Sequence, residues 1–291
     1  MKKIAPFFVL SAGTLWGAMG VFVRKLGAYG FSPLQIACLR ILFGALLFLL
    51  ITGVFQRDLL KIRLRDMGLF LGMGLLSLLL FTVCYFTTID LASLSVAAIL
   101  LYTSPIWVML MSAICFREKI TRRKLLCAAM AFGGCVLVSG IGSSASLSPM
   151  VIVTGLLSAV GYGLYSIFGT FALRKYQPLT VTTYAFLFGA VGALLLCNPI
   201  QIVRVISQTR NPGALVLLIA VTALVTAVLP YLLYTVGLNH MRASAAAIMA
   251  SIEPVVATAA GALAFGETLT LPAFAGIALV LGAIVVLNAK A

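Results

Sequence analysis

Glu253 stands inside a long apolar run, ten residues after Ala243 and twelve before Phe265, with Pro254 directly following it. A carboxyl group near the centre of a bilayer costs about 2.5 to 3.5 kcal/mol on insertion scales, so it must face protein or a water-filled cavity. Two chemistries suit it. It can exchange a proton or hold a cationic group as its surroundings change. It can also hydrogen-bond backbone groups at the kink made by Pro254, which has no N–H for the Ala250 carbonyl. Arg40 poses a similar choice, lying about 10 Å inside another apolar run if a helix begins near Pro33, at about 1.5 Å per residue. Its guanidinium can recognise a carboxylate or close an external gate. Equally, it can snorkel to the interface or bond carbonyls of neighbouring helices.

The aromatic residues sort by depth. Trp16, Tyr102 and Tyr162 fall near the middle of their runs, where an interfacial belt does not explain them and a polar partner is needed. Tyr85 and Tyr234 fall near the ends of theirs, where such a belt is the ordinary explanation. Tyr162 with Tyr165, and Tyr231 with Tyr234, are one helical turn apart, so each pair can line one face. Together with Thr82, Ser104 and Ser251 they would form a cavity of aromatic walls and neutral hydrogen-bonding groups, although packing between helices uses the same residues. Pro105, Pro230 and Pro254 lie inside apolar runs, each freeing a carbonyl one turn earlier. They read as bends for closure or as packing kinks. Gly13 with Gly17 and Gly68 with Gly72 have the GxxxG spacing of close helix contacts. Glu118 and Glu267 each precede a threonine by three residues, Thr121 and Thr270, placed to cap a following helix. A hairpin role or a gate fits them.

Catalytic chemistry finds no foothold. His240 is the one histidine, and no HExxH, P-loop, GxSxG or carboxylate pair is present. The six cysteines sit in apolar stretches without a CxxC spacing and read as small hydrophobes. No metal, cofactor or enzymatic activity is expected.

The elements that must position these residues are set by composition. With 63% hydrophobic and 9% charged residues, 291 residues belong in a bilayer. Ten runs have about the 20 apolar residues a crossing needs. They cover roughly 5–23, 34–53, 67–89, 93–116, 123–140, 150–173, 179–197, 213–238, 243–265 and 271–288. The least marked boundary is the Gly- and Ser-rich stretch from Gly140 to Pro149. The start of the chain has features of a secretory signal, but its apolar run is long enough to span and leads into further spans, so it is read as the first crossing. Net charge +14 would suggest nucleic acid in a soluble protein; here the cations sit between apolar runs and report orientation. Ten crossings put fifteen of the twenty Lys and Arg on the side of the termini, namely Lys2, Lys3, Arg57, Lys61, Arg63, Arg65, Arg117, Lys119, Arg122, Arg123, Lys124, Arg174, Lys175, Arg242 and Lys290. The opposite side keeps Arg24, Lys25, Arg204 and Arg210. Both termini are therefore expected in the cytoplasm, in a multi-pass protein of the cell (inner) membrane.

The chain also repeats. Ser95, Ala97, Ala98, Ile99, Pro105, Phe116, Glu118, Thr121, Gly133 and Val136 recur 149 positions later as Ser244, Ala246, Ala247, Ile248, Pro254, Phe265, Glu267, Thr270, Gly282 and Val285. Five crossings per copy is an odd number, so the second copy enters the membrane from the opposite face. That is the inverted repeat found in many secondary transporters. The expected units are residues 1–145 and 146–291.

Trp16-Gly17, Arg40, the Tyr102-Thr103-Ser104-Pro105 and Ile252-Glu253-Pro254 helices, and the paired Phe-x-Glu-x-x-Thr hairpins resemble the EamA-type transporters of the drug/metabolite transporter superfamily. The resemblance implies an all-α integral membrane protein of ten transmembrane helices, arranged as two inverted five-helix repeats around a central cavity. With it, the reading is a secondary transporter working by alternating access and exporting a small molecule; the aromatic, mostly neutral cavity with one carboxylate suits an amino acid or an amphipathic or cationic metabolite, with proton coupling through Glu253 as one option. An uncoupled uniporter or channel on the same scaffold, and an integral membrane enzyme, are the alternatives. The expected partners are the substrate, the lipid bilayer and protons, with no nucleic acid. One chain already holds both halves, and dimerisation stays open.

Overall fold

The computed structural model describes residues 3–139 and 148–289. Lys2, Lys290, the Gly140–Leu147 part of the expected break and the boundary between residues 145 and 146 lie outside the described residues. Among those described, nine helical stretches are long and apolar enough to cross a membrane: α1 (Ala5–Gly27), α2 (Pro33–Phe55), α3 (Leu64–Leu91), α4 (Leu94–Phe116), α6 (Pro149–Ala172), α7 (Pro178–Leu196), α8 (Pro212–Leu238), α9 (Ala243–Phe265) and α10 (Leu271–Asn288). Between α4 and α6 lies α5 (Arg122–Ser139), as long as α10 but opening on three cations. Nine of the ten expected crossings coincide with these spans; the tenth, expected over 123–140, falls on α5, which is not among them. A short amphipathic helix, Pro199–Gln208, was not expected. Asn198 caps it, Gln201 accepts from Gln35 at 2.9 Å, and Ile200 and Val203 stand exposed as on a helix lying along an interface.

Local sequence explains where the helices begin. Pro occupies the first turn of α2, α6, α7, α8 and α10, where its missing N–H costs nothing. Ser32, Ser148, Asn211 and Thr270 accept from the first free N–H groups of α2, α6, α8 and α10, and Ser32 with Gln35 completes a reciprocal capping box. Irregularities recur at equivalent places. α4 breaks at Tyr102-Thr103, ahead of Pro105, and α9 breaks 149 residues later at Ser251-Ile252, ahead of Pro254. α3 widens into a π-helix over Gly72–Leu79, and α8 does so over Leu224–Val228, within the equivalent stretch. The α4 and α9 helices end on left-handed residues, Arg117 at φ 53° and Gly266 at φ 69°.

Packing shows how the halves are related. α3 lies on α6 as α8 lies on α1, and α4 meets α6 as α9 meets α1. α2 meets its own counterpart α7, and α5 meets α10. The counterparts run antiparallel. Along α2 and α7, Thr52 bonds Thr183 at 2.8 Å, Phe48 stacks on Phe186 at 5.1 Å, and Ile41 lies beside Gly189. Along α5 and α10, Arg123 donates to the Val286 and Ala289 carbonyls, while Gly134 packs on Gly276 and Val280. Two copies whose equivalent helices point oppositely are an inverted repeat, and their shared axis passes through the space between them.

Candidate functional site

Where the halves meet, Trp16, Arg40, Thr82, Tyr85, Tyr162, Tyr231 and Glu253 line one small cavity of about 50 Å³. Met19, Phe81, Phe86 and Phe186 are among its other wall residues. α1 can bring Trp16 so close because Gly13 and Gly17 lie against the α9 break. A Cβ added at Gly17 would sit 2.6 Å from the Glu253 carbonyl oxygen and from Val256 Cβ. This GxxxG pair is a true helix contact; of Gly68 and Gly72, Gly72 packs on the Phe168 ring and Gly68 has open space. Trp16 then meets Tyr162, Tyr231 and Tyr234 with ring centroids 6.0, 5.1 and 5.4 Å away.

The cavity is closed on the side of the termini. Tyr165 shares a 3.0 Å hydrogen bond with Thr235, and Ser166 one of 2.7 Å with Tyr234. Both tyrosines, at 4% and 3% exposure, are buried floor, so Tyr234 is no interfacial belt residue. A chamber of about 10 Å³ beside them is bounded by Trp16, Ser77 and Tyr231. In the other direction the wall consists of half-buried groups nearer the opposite ends of their helices: Met19, Arg40, Tyr85 and Phe86. A side chamber of about 10 Å³ holds Tyr102, Ser104 and Ser251 against Tyr162 and Glu253. Ser104 is the repeat counterpart of Glu253, so one break carries a hydroxyl where the other carries a carboxyl, and the cavity is chemically asymmetric.

Arg40 has a defined structural partner. Its Nε donates to Thr226 Oγ1 and its Nη2 to the Thr226 carbonyl, both at 2.7 Å. That carbonyl lies four residues before Pro230, which cannot donate to it, so Arg40 supplies the hydrogen bond that proline withholds. Arg40 thus bonds a neighbouring helix while also standing on the cavity wall. Thr82 bonds the Leu78 carbonyl at 2.7 Å, leaving its methyl and oxygen lone pairs at the wall.

Glu118 and Glu267 are far from the cavity, past the ends of α4 and α9. Thr121 and Thr270 accept from Lys124 and Ala273, capping α5 and α10. Glu118 keeps its side chain largely buried, paired with Lys124 and accepting from Ser244 at 2.6 Å. Glu267 is exposed and pairs with Arg24 at 2.5 Å. Sequence reasoning missed the phenylalanine wall. Phe81 lies one turn before Tyr85, with ring centroids 5.5 Å apart, and that spacing was readable. Phe186 carried no local mark; it reaches Tyr231, 5.0 Å away, because α7 packs on α8 there.

Apolar helices in two inverted halves, closing on a small pocket sealed toward one face, define a membrane transporter. The chain belongs to the EamA-like transporter family, which matches residues 3–140 and 149–289. Two proteins of Archaeoglobus fulgidus, each named an uncharacterized transporter, are similar along nearly their whole length. One is 29% identical, covering 96% of this chain and 93% of its own. The other is 30% identical, covering 92% of each. The Bacillus subtilis transporter YyaM is 25% identical over 88% of this chain and 85% of its own. A crystal structure 18% identical superposes with a TM-score of 0.81, covering 99% of this chain and 97% of that one, and so shares its fold.

Proposed function

We propose that this transporter works by alternating access, exporting a small organic molecule from the cytoplasm across the cell membrane, with both termini cytoplasmic. The substrate we propose carries an ammonium or other cationic group on an apolar or aromatic body, as an amino acid or an amphipathic amine does. The observation carrying this reading is Glu253 on the wall of an aromatic cavity between inverted halves, closed on the side of the termini. Cations sit well against aromatic faces and a carboxylate, and the cavity is small enough to require local opening around even a modest solute.

The antiparallel relation of α2 to α7 and α5 to α10 supports the mechanism, because exchanging the conformations of the two halves turns one access state into the other. In the proposed orientation the Tyr165 and Tyr234 floor faces the cytoplasm, so the described state is closed inward. Glu253 couples movement to protons by holding either a proton or the cationic group, never both. One chain suffices for the cycle. The division into five-helix units near residue 145 and the orientation by the fifteen cations belong to this proposal.

Purified protein in liposomes tests it. Counterflow of a labelled amino acid or amine should build up against its gradient, which a channel cannot do. The Glu253→Gln variant should lose its response to an imposed pH gradient. Wild-type-like response in that variant removes the coupling role; chemically altered solute would revive an enzyme.

A further inference from the structure

On the side of the termini the two halves meet over a surface basin of about 450 Å³. Its cations come from both halves: Arg117 and Lys119 from the turn between α4 and α5, Arg174 from the end of α6, and Arg242 from the start of α9. A depression of about 320 Å³ continues it and shares Arg174 and Arg242. The basin's carboxylate is already engaged. Glu118 is paired with Lys124, their side chains 8% and 9% exposed, and it takes the Ser244 hydroxyl besides.

The opposite end of the molecule shows what a balanced version of this corner looks like. There Arg24, the counterpart of Arg174, lies 4.3 Å from the Phe265 ring and pairs with Glu267. At the basin Arg174 keeps the aromatic contact, 5.3 Å from the Phe116 ring, but the equivalent carboxylate has gone to Lys124. Ala273 stands in the place of that lysine in the other copy. One substitution between the repeats therefore leaves Arg174 without the acid its twin has.

The other two arginines are also placed against local preference. Arg117 holds a left-handed backbone, φ 53°, where the other copy uses Gly266. Arg242 sits at the N-terminus of α9 without a side-chain cap, putting a cation at the positive end of a helix. An anion in the basin would relieve the electrostatic cost at Arg242 and give the Arg117 side chain, held by that backbone at the basin, a partner.

We propose that the basin binds a phosphate group and bridges the two halves on this face. Arginine forks suit phosphate oxygens, and basic pockets between transmembrane helices take anionic head groups. The group can arrive on an anionic lipid or as a soluble phosphate. The argument for binding uses only the basin's residues and does not depend on the alternating-access reading.

Native mass spectrometry and thermal shift of the full chain in neutral detergent test this, with phosphatidylglycerol, inorganic phosphate and phosphatidylcholine as probes. The Arg117→Gly, Arg242→Gln double variant should bind about 25-fold more weakly, at about fivefold for each basic group removed. Its stability without ligand should not fall through the first change, since glycine suits that backbone. A Lys61→Gln, Arg65→Gln control removes the same charge from the same face and should bind within about twofold of wild type. Saturable binding of phosphatidylglycerol alone makes a lipid the source; binding of inorganic phosphate as well means the phosphate group suffices. Equal loss in basin and control variants, or equal binding of phosphatidylcholine, overturns the site.

Discussion

Replacing Arg40 with methionine separates its structural role from a substrate role. The change removes two 2.7 Å hydrogen bonds from a charged donor, to the Thr226 hydroxyl and carbonyl. Such bonds are worth about 1.5 to 3 kcal/mol each, but deleting a buried charge also returns its desolvation cost. The hydroxyl keeps its own donation to the Thr222 carbonyl, so the orphaned Thr226 carbonyl is the main penalty. A net loss of about 2 kcal/mol is expected, lowering the apparent melting temperature in detergent by about 4 °C for a chain of this size. Pro230→Ala restores an N–H four residues after Thr226. In that background Arg40→Met should cost only about half as much, a coupling near 1 kcal/mol in a double-mutant cycle. Additive losses would refute the assignment of Arg40 as the partner of the carbonyl freed by Pro230. Unchanged stability with lost transport would return it to substrate recognition.

Gly17→Ala should force α1 away from the α9 break, since the new methyl meets the Glu253 carbonyl and Val256 at 2.6 Å; about 1 to 3 kcal/mol of stability and most transport should be lost, by melting and counterflow. Tyr165→Phe with Tyr234→Phe removes two hydroxyl bonds from the floor, each worth about 1 kcal/mol, and thiol labelling of a Ser77→Cys reporter should rise from the side of the termini. Glu118→Gln leaves buried Lys124 unpaired and should cost about 3 kcal/mol, whereas Glu267→Gln, at a half-exposed pair, should cost less than about 1 kcal/mol in the same melt.

Much of the fold was legible because the bilayer imposes a length and forbids unpaired backbone. Apolar runs of about 20 residues, Pro after a capping Ser or Asn, and Gly or Arg past a helix end mark elements through local chemistry alone. α5 was legible as an apolar run over 123–140, although Arg122, Arg123 and Lys124 in its first turn keep it out of the nine helices apolar enough to span. The Pro199–Gln208 helix escaped because it lies along the surface, where neither span length nor charge asymmetry reports it. At the site, Glu253, Trp16 and the tyrosines stood out because polar or amphipathic groups are costly at their depth. Phe81, Phe86 and Phe186 did not, because phenylalanine in an apolar run carries no such cost.

The sequence by itself determined that the chain crosses a membrane, that its second half repeats its first, and that an odd number of crossings would invert the copy. Those are properties of composition, spacing and parity. Only the tertiary structure decided that Arg40 serves the carbonyl freed by Pro230, that Tyr165 and Tyr234 close the cavity on one side, and that Glu118 pairs with Lys124 while its twin Glu267 takes Arg24. Each of those partners lies on another helix or, for Lys124, across a turn. Hydrogen bonds and ion pairs are settled by which atoms come within about 3 Å of each other, and helix crossings fix that, not neighbourhood along the chain.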